Sequence, residues 1–563
     1  MKYLLDFSKT FPGEPTLTLH EYLGKASKED VLLAGAFLLG VKTHNSQLQN
    51  TQTLLSKWFC TENNQFANEV YQQILVIQKE MGLPILIVNP ISSLQLFEFA
   101  FSELEENGEM PSTEFEVNLF KAYLTLNEAN TQLEYVTKKS IEKVVDKDLK
   151  WAAFNMTARF SQFEFMNYYL GEILTAQLIK AVYLFEFISD NEKCSPVLRG
   201  FLDYYDCSDW QYYLKSYLPL THSLLKRDTE AHLNINVESG DKFDEGCAFL
   251  DKLILQDKEQ LDEFDFRTLR AVPLYKLEKG KYRIIFDLFV AEKVFTGLYF
   301  KLREVYDSLP GEQKALGNFR SFYTTHFSEN YLLYKTLQSC FPKKYVHLPG
   351  EKLKESGMAG EPDYYIRNKN KIFLFENKDV LIGAEVKQSS DFNQLEPELR
   401  KRLYYEEKKR KRKNGAVLQL ITNIKNILTG SFDADKGVKT EHVKIFPILV
   451  LHYNQFNTPG LNKFINSWFQ DELENLNDDG LDVSKVRSLT IIDIDTFITL
   501  QDYLMSRQIQ LETIIDWYWI KNRNKIYINP FSNYILNHAI KRKLIKPPKI
   551  LNESGLKLFE NKQ

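Results

Sequence analysis

The sequence has little of what marks secreted or membrane-spanning proteins. Its five cysteines are scattered and form no C-x-x-C pair, which predicts reduced thiols in a cytoplasmic protein. The N-terminus lacks the apolar run of a signal peptide. The most apolar long stretch, residues 168–188, contains Glu172, Lys180 and Glu186. It therefore predicts a buried helix rather than a membrane span, and we expect no membrane partner.

Several enzyme classes are excluded because their short motifs are missing. No G-x-x-x-x-G-K-[ST] segment is present, so we expect no intrinsic ATPase activity. The sequence also contains no H-E-x-x-H, no zinc-finger spacing and no G-x-S-x-G. The formal net charge of −4 at pH 7 is not that of a generally basic protein. Any surface that binds a polyanion must therefore be local.

What is present is a chain of 563 residues, 44% hydrophobic and 26% charged, which is ordinary globular composition. Apolar residues at helical spacing predict a mainly α-helical domain over residues 1–240. Residues 241–318 predict a connecting region with a hairpin near 272–286 and a helix near 288–306, which ends in a turn-rich boundary. Residues 511–563 predict a helical extension with a basic tail.

A polar segment between two apolar ones predicts a β-hairpin in the C-terminal half. Residues 364–366 and 372–375 are good strand formers, while residues 368–371 contain no apolar side chain and suit a tight turn. With a two-residue loop at 369–370, the residue numbers of every opposed pair add up to 739. The predicted register is therefore explicit.

This register brings charged groups together at one end of the hairpin. Asp363 lies opposite Glu376, with their Cβ atoms ~4.5–5.5 Å apart. Because side chains alternate along a strand, Lys378 lies on the same face. Two close carboxylates repel each other unless a cation or a proton lies between them. Oxygen ligands of this kind suit Mg²⁺, so we predict a Mg²⁺ site, with Mn²⁺ as an alternative ion.

The Pro-Asp, spacer, Glu-x-Lys arrangement of residues 362–378 resembles the motif of the PD-(D/E)xK nuclease superfamily. This resemblance implies an α/β nuclease core over residues 319–510, with a mixed central sheet flanked by helices. It also implies that Asp363 and Glu376 bind the metal, that Asn377 contributes its backbone carbonyl, and that Lys378 supports the attacking water. The alternative is an exposed hairpin with a surface salt bridge.

Two further residues are implied by the same resemblance. Glu329 lies on a helix predicted over residues 328–340, with Ser328 as its N-cap, where such nucleases often carry an acidic residue. The alternative is a glutamate that stabilises the helix dipole. Gln419 lies on a helix predicted over residues 415–428, where some relatives place a glutamine near the metal. Its alternative is a glutamine at the edge of the core that bonds to the backbone.

A second Glu-x-Lys, at Glu385 and Lys387, competes with the first. On one regular strand, Glu385 would point to the face opposite to that of Glu376, because side chains alternate. In addition, no Pro-Asp faces Glu385 in a hairpin, so we favour Glu376. The apolar segments 443–452 and 489–495 predict further strands, and the nearly continuous apolar run of the first suits a central strand buried on both faces. Within the first of these, Pro447 favours a strand end or a sheet edge.

A charged helix is predicted from Glu396 to about Lys413. Its basic side chains would lie beside the hairpin, where they could neutralise the phosphates of a bound nucleic acid. The alternative is a solvated helix end or loop. The predicted phosphate-contacting residues are Arg400, Lys401, Arg402, Lys408, Lys409, Arg410, Lys411, Arg412 and Lys413.

Together, these patterns predict a Mg²⁺-dependent phosphodiesterase, either an endonuclease or an exonuclease, whose partner is nucleic acid. DNA is the predicted substrate, and RNA stays open. The long helical addition resembles those of bacterial defence nucleases, which implies a role against phage or other foreign nucleic acid. Two alternatives remain: a non-catalytic platform that binds nucleic acid or protein, and a helical sensor that forms a homo-oligomer or binds a regulatory partner, with the nuclease as its output.

Overall fold

The computed structural model divides the chain into two compact units. The first comprises Met1–Tyr135, Tyr168–Leu174 and Leu202–Leu298, and the second comprises Val136–Asn167, Thr175–Phe201 and Tyr299–Gln563. Within the described residues, no helix is long and apolar enough to cross a membrane. The structure describes residues 3–41, 48, 50–225, 233–255, 261, 265–355, 357, 360–408 and 411–559.

Helices dominate the N-terminal half of the chain. In chain order they are α1 (Phe7–Thr10), α2 (Leu19–Leu23), α3 (Lys28–Gly40), α4 (Thr51–Trp58), α5 (Asn64–Met81), α6 (Pro90–Glu103), α7 (Ser112–Ser140), α8 (Lys147–Arg159), α9 (Phe163–Met166), α10 (Leu170–Ser189), α11 (Ser195–Tyr205), α12 (Trp210–Leu225), α13 (Phe243–Asp251), α14 (Arg267–Ala271), α15 (Asp287–Lys293) and α16 (Thr296–Ser308).

The C-terminal half continues with further helices and contains two π-helical segments. The helices are α17 (Phe319–Phe322), α18 (Tyr334–Cys340), α19 (Gly350–Glu355), α20 (Ala384–Gln388), α21 (Phe392–Leu399), α22 (Ala416–Leu428), α23 (Leu461–Asp478), α24 (Ile494–Met505), α25 (Leu511–Asn522), α26 (Phe531–Lys541) and α27 (Lys549–Phe559). The π-helical segments are Tyr323–Leu333 and Arg400–Tyr404.

Strands are short in the first part of the chain and longer in the second. They are β1 (Tyr3–Leu4), β2 (Ile85–Leu86), β3 (Asn234–Asn236), β4 (Leu274–Glu278), β5 (Lys281–Ile284), β6 (Val346–Pro349), β7 (Tyr364–Asn368), β8 (Lys371–Lys378), β9 (Tyr405–Lys408), β10 (Lys411–Asn414), β11 (Lys444–Leu451) and β12 (Thr490–Asp493).

In the first unit, helices surround two small sheets. β1 and β2 pair in parallel, and the buried Asn127 side chain donates to the Leu5 and Ile87 carbonyl oxygens at 3.0 and 2.8 Å. These bonds satisfy backbone groups that such short strands leave unpaired. The second sheet has the order β3-β5-β4, and its β4–β5 hairpin confirms the one predicted near 272–286. The helix predicted over 288–306 is divided into α15 and α16.

The second unit is built on a five-stranded sheet with the order β12-β11-β8-β7-β6. β7 pairs antiparallel with both β6 and β8, whereas β8, β11 and β12 run parallel. This confirms the predicted mixed sheet flanked by helices. The domain boundaries predicted near residues 240, 318 and 510 stay predictions, because the compact units interleave along the chain instead of dividing it at single positions.

Alternating side chains on β8 serve two different layers of helices. Ile372 and Leu374 join one core with residues of α8, α22 and α23. Phe373 and Phe375 point the other way, where they contact Phe341 at ring-centroid distances of 5.4 and 6.0 Å. The sheet is therefore buried on both faces, and any polar group at its end must find partners there.

The β7–β8 hairpin has the predicted register. Its ladder runs from Asn368 opposite Lys371 to Tyr364 opposite Phe375, so each pair adds up to 739. The turn uses Lys369 in the left-handed conformation, with φ of 56°. Asp363 is the next residue beyond the last ladder pair and faces the end of β8.

Three sequence-based predictions about local structure are wrong. Pro447 lies in β11 between β8 and β12, although its presence favoured an edge. The ladder to β12 begins only at Ile448, one residue later, so the missing Pro447 N–H removes no bond on that side. Ser328 is not an N-cap, because the helix begins at Phe319 and Asn318 caps it by accepting from the Ser321 N–H.

The charged helix predicted from Glu396 to about Lys413 is the third wrong prediction. α21 ends at Leu399, and after the π-helical turn β9 and β10 form an antiparallel hairpin. Six consecutive Lys or Arg residues follow position 407, and like charges one turn apart destabilise a helix. At the base of the hairpin, the Gly415 N–H donates to the Tyr404 carbonyl oxygen at 2.7 Å. The Tyr404 ring stacks on the Trp468 ring, with ring centroids 5.4 Å apart.

Replacement of Gly415 by alanine is expected to destabilise the second unit. A Cβ at this position would lie 2.8 Å from the Leu403 carbonyl carbon, which is backbone and has little room to move. We expect a loss of about 1–3 kcal/mol in the free energy of unfolding, measured from urea denaturation.

Gly555→Ala is the matched control. A Cβ at Gly555 meets nothing within 4 Å, and the residue lies inside α27. Alanine should therefore stabilise this helix by about 0.5–1 kcal/mol. Equal effects of the two substitutions would contradict the close packing at the base of the β9–β10 hairpin.

Candidate metal centre

The hairpin brings Asp363, Glu376 and Lys378 together where β8 ends. Lys378 Nζ lies 3.3 Å from Glu376 Oε2 and 3.8 Å from Asp363 Oδ2. The Asn377 N–H donates to Asp363 Oδ2 at 2.6 Å. The register thus assembles two carboxylates, an ammonium group and the Asn377 backbone into one cluster.

The cluster is largely withdrawn from water. Glu376 is 0% exposed and Asp363 is 9% exposed. Burial and the nearby Asp363 carboxylate raise the pKa of Glu376 well above its ordinary value. Burial by itself would lower the pKa of Lys378, but attraction by Asp363 and Glu376 outweighs it and the pKa is raised. Lys378 therefore stays protonated at neutral pH and offsets part of the negative charge.

One oxygen of Glu376 has no partner among the described residues. Its Oε1 is buried and accepts no hydrogen bond, whereas Oε2 accepts from Lys378. An unpaired buried oxygen costs about 1–3 kcal/mol, and more when it is charged. A divalent cation ligated by this oxygen would remove that cost. The donor set fits Mg²⁺ or Mn²⁺, and the groups that would hold the ion are the Asp363 and Glu376 carboxylates and the Asn377 carbonyl.

Within the described ranges, no group of three or more His, Cys, Asp or Glu side chains is arranged to hold a metal ion. The candidate centre has two carboxylates, and its third protein ligand would be a backbone carbonyl. Such a small ligand set suits Mg²⁺, because this ion keeps several of its waters and binds proteins through one or two carboxylates.

Backbone contacts fix the position of Asp363. The Gly350 N–H donates to the Asp363 carbonyl oxygen at 2.9 Å, and a Cβ on Gly350 would lie only 3.0 Å from that oxygen. Asn423, which is fully buried on α22, donates to the Gly360 carbonyl oxygen at 2.9 Å. Sequence reasoning missed both residues, because their roles depend on tertiary contacts that no local pattern reveals.

Glu329 faces the same cluster from the π-helical segment. Burial, followed by repulsion from the Asp363 carboxylate, raises its pKa to about 8. The helix begins ten residues earlier, at Phe319. Glu329 is therefore outside the first turn, and the helix-dipole alternative does not account for it. The charges of Asp363 and Lys378 both act on this side chain, and its role at the site stays a prediction.

Gln419 occupies the first turn of α22, and its side chain is half-buried. In the part of the chain that the structure describes, that side chain makes no hydrogen bond; its backbone oxygen accepts from Asn423 Nδ2 at 2.9 Å. The contact with the loop before Asp363 comes from Asn423, one turn later. The structure thus brings Asn423 into contact with the loop before the motif, and the role of Gln419 stays a prediction.

The competing Glu-x-Lys lies elsewhere. Glu385 and Lys387 are on the short helix α20, not on a strand. Lys387 is buried and forms an ion pair with Glu164, with Nζ and Oε1 2.5 Å apart, whereas Glu385 is exposed. The local geometry therefore favours Glu376, because Glu385 and Lys387 lie on a helix and not on a strand of the sheet.

The predicted phosphate-contacting residues fall into three groups. Arg400 and Arg402 form ion pairs with Glu396 and Glu398, each at 2.7 Å, one turn earlier on the same helical segment. Lys401 and Lys413 are exposed. The remaining predictions lie outside the described residues or have side chains that are not described: Lys408, Lys409, Arg410, Lys411 and Arg412.

Comparison with known proteins adds no assignment. No family model matches the chain, and neither the curated proteins nor the solved structures give a match. Any functional conclusion therefore depends on the chemistry of the site itself.

The raised pKa of Glu329 predicts a pH-dependent loss of stability in EDTA. A folded-state pKa of about 8, above the ordinary 4.5, means that wild-type stability falls as the pH rises from 4.5 through 8. Glu329→Gln removes this ionisation. The variant should exceed the wild type above pH 8 by on the order of 1–2 kcal/mol, after allowance for partial exposure, and match it near pH 4.

The control is Glu355→Gln, at an exposed position on α19. Its stability should follow that of the wild type at every pH. Urea midpoints measured between pH 4 and pH 9 compare the three proteins. A constant difference between Glu329→Gln and wild type over this range would contradict the proposed environment of Glu329.

Proposed function

We propose that the second unit is a metal-dependent nuclease of the PD-(D/E)xK type, which hydrolyses phosphodiester bonds. The observation that carries this proposal is the buried Glu376 carboxylate, whose Oε1 lacks a hydrogen-bond partner among the described residues beside Asp363 and Lys378. A strongly shifted pKa in such a charged cluster is typical of functional sites, since stability alone gains nothing from it.

Each group of the cluster has a defined task in this proposal. Asp363, Glu376 and the Asn377 carbonyl hold the cation. When bound, Mg²⁺ lowers the pKa of a coordinated water and neutralises charge on the phosphate. Lys378 donates to the attacking water or to the anionic phosphate oxygen, and the two carboxylates keep it protonated for this task. Glu329, neutral below about pH 8, holds a proton at the edge of the cluster.

The proposed substrate is nucleic acid, with DNA favoured. α22 connects the base of the β9–β10 hairpin to the candidate centre: it begins beside Gly415, and Asn423 contacts Gly360 near Asp363. Eight helical residues span about 12 Å, so the hairpin base lies within a few nucleotides of the metal ligands. Among the described cations there, the exposed Lys401 and Lys413 are better suited to phosphate contact than the ion-paired Arg400.

The Glu376 environment favours catalysis over a non-catalytic binding platform. A platform has no need for a buried carboxylate with an unpaired oxygen, and a glutamine or an apolar residue there would cost less free energy of folding. A role against phage or other foreign nucleic acid remains part of the proposal. It rests on analogy with nucleases that carry long helical additions.

Cleavage of a substrate panel tests the proposed activity. The panel comprises single- and double-stranded DNA and RNA, incubated with Mg²⁺, Mn²⁺ or EDTA. We expect cleavage that requires a divalent cation and that falls by at least about 100-fold in Asp363→Ala and in Lys378→Ala, because each removes a group that stabilises the transition state. Circular dichroism checks that both variants are folded.

Glu385→Gln serves as the motif-matched control, because Glu385 belongs to the other Glu-x-Lys and is exposed. Its cleavage rate should equal that of the wild type. The proposal is wrong if the wild type cleaves no member of the panel with either cation. It is equally wrong if folded Asp363→Ala cleaves as fast as the wild type.

A further inference from the structure

The two chain neighbours of Lys378 are buried on the face of β8 opposite to the candidate metal centre. Asn377 is 5% exposed and Asp379 is 8% exposed. In the proposed mechanism the Asn377 carbonyl and the Lys378 ammonium both act, so the backbone between these two buried side chains carries functional groups. What holds Asn377 and Asp379 therefore affects the site.

The Asn377 side chain is held by His452. The Nε2–H of His452 donates to Asn377 Oδ1 at 2.6 Å. His452 directly follows β11, whose Val450 lies opposite Asn377 in the parallel ladder. Burial lowers the pKa of His452 to about 4, although the nearby Asp379 carboxylate opposes this change. The ring is therefore neutral at neutral pH and serves as a hydrogen-bond donor.

Asp379 is held by the helix that also carries Glu329. Arg320 Nη2 lies 2.5 Å from Asp379 Oδ1 and also donates to the Asp379 carbonyl oxygen at 2.5 Å. The Ser328 hydroxyl donates to Asp379 Oδ2. Burial would raise the pKa of Asp379, but the Arg320 guanidinium and the Ser328 hydroxyl group hold it below its ordinary value. Asp379 is therefore an anion fixed by a guanidinium and a hydroxyl group.

We infer that Arg320, Ser328, Asp379 and His452 form a polar clamp that positions the Asn377 carbonyl and the Lys378 ammonium for catalysis. This inference rests on the proposed function and deepens it. The clamp contacts neither the candidate metal position nor substrate, so its members are positioning residues. Its effect is geometric, because a displacement of about 1 Å in a reacting group lowers a catalytic rate by orders of magnitude.

The π-helical segment links the clamp to the metal centre. Ser328 bonds to Asp379, while its chain neighbour Glu329 is close enough to Asp363 and Lys378 for their charges to act on it. Ser328 and Glu329 are consecutive residues of this π-helical segment, and such segments are frequent at functional sites. Loss of the Ser328 contact should therefore also displace Glu329.

The same unit contains a matched ion pair away from the candidate centre. Asp435 is 8% exposed, like Asp379. It is also held by one guanidinium and one hydroxyl: Arg367 at 2.5 and 2.8 Å, and the Tyr365 hydroxyl at 2.9 Å. Arg367 lies near the turn end of β7, about 13 Å along the strand from Asp363. Asp435→Asn thus matches the stability cost of Asp379→Asn without touching the clamp.

The experiment compares these two variants in the full chain. The measurements are the melting temperature, kcat and KM for the best substrate of the panel, and Mn²⁺ affinity by isothermal titration calorimetry. Both variants should lose stability to a similar extent. Only Asp379→Asn should lower kcat and Mn²⁺ affinity, each by about 10- to 100-fold, with KM little changed. Arg320→Lys should keep part of the activity that Arg320→Met loses.

A second pair of variants covers the case in which Asp379→Asn does not fold. His452→Gln keeps an N–H donor for Asn377 and should retain most of the wild-type kcat. His452→Leu removes the donor and should lose most of kcat. Equal kcat and Mn²⁺ affinity within each pair would overturn the inference, while cleavage by the wild type would leave the proposed function intact. A wild type that neither cleaves nor binds Mn²⁺ would contradict both.

Discussion

A carboxylate buried at the end of a strand is the constraint on which the candidate site depends. Glu376 is fully buried beside Asp363, and one ammonium group, that of Lys378, offsets their charge. Burial and like charge both oppose the ionised form of Glu376. The hairpin register, the Gly350 contact with Asp363 and the Asn377 N–H all maintain this unfavourable arrangement. The proposed cation would offset this cost.

The end of β8 has two chemically different sides. Glu376 and Lys378 point to the side of Asp363, where two carboxyl groups lie near one ammonium group. Asn377 and Asp379 point to the other side, where the clamp satisfies them with a neutral imidazole, a guanidinium and a hydroxyl group. Period-two alternation produces this separation without any insertion in the strand. The side chains of the candidate metal centre and the side chains held by the clamp therefore alternate along residues 376–379.

Local regularity explains which features were predictable from the sequence. Residue alternation and a two-residue polar turn were sufficient to predict the β7–β8 register and hence the meeting of Asp363 with Glu376. The preference for Glu376 over Glu385 came from the same parity. Both features depend only on the geometry of one hairpin and not on the rest of the fold.

Features that depend on tertiary contacts were not predictable. Arg320 and Asn423 lie 59 and 63 residues from their partners Asp379 and Gly360, and no periodicity links them. The segment after Tyr404 reads as a helix by composition, but its closure against Gly415 makes it a hairpin. The edge position predicted from Pro447 was wrong, because the effect of a proline depends on where the hydrogen bonds to the neighbouring strand begin.

The most direct measurement is a crystal structure of the protein soaked with Mn²⁺, with anomalous scattering to locate the ion. The account predicts one anomalous peak bounded by the carboxylates of Asp363 and Glu376 and the carbonyl of Asn377, with Lys378 turned toward a bound water. The same peak should be missing from crystals of Glu376→Gln. A wild-type structure at saturating Mn²⁺ in which Lys378 still occupies the space between the two carboxylates, with no ion there, would contradict the account.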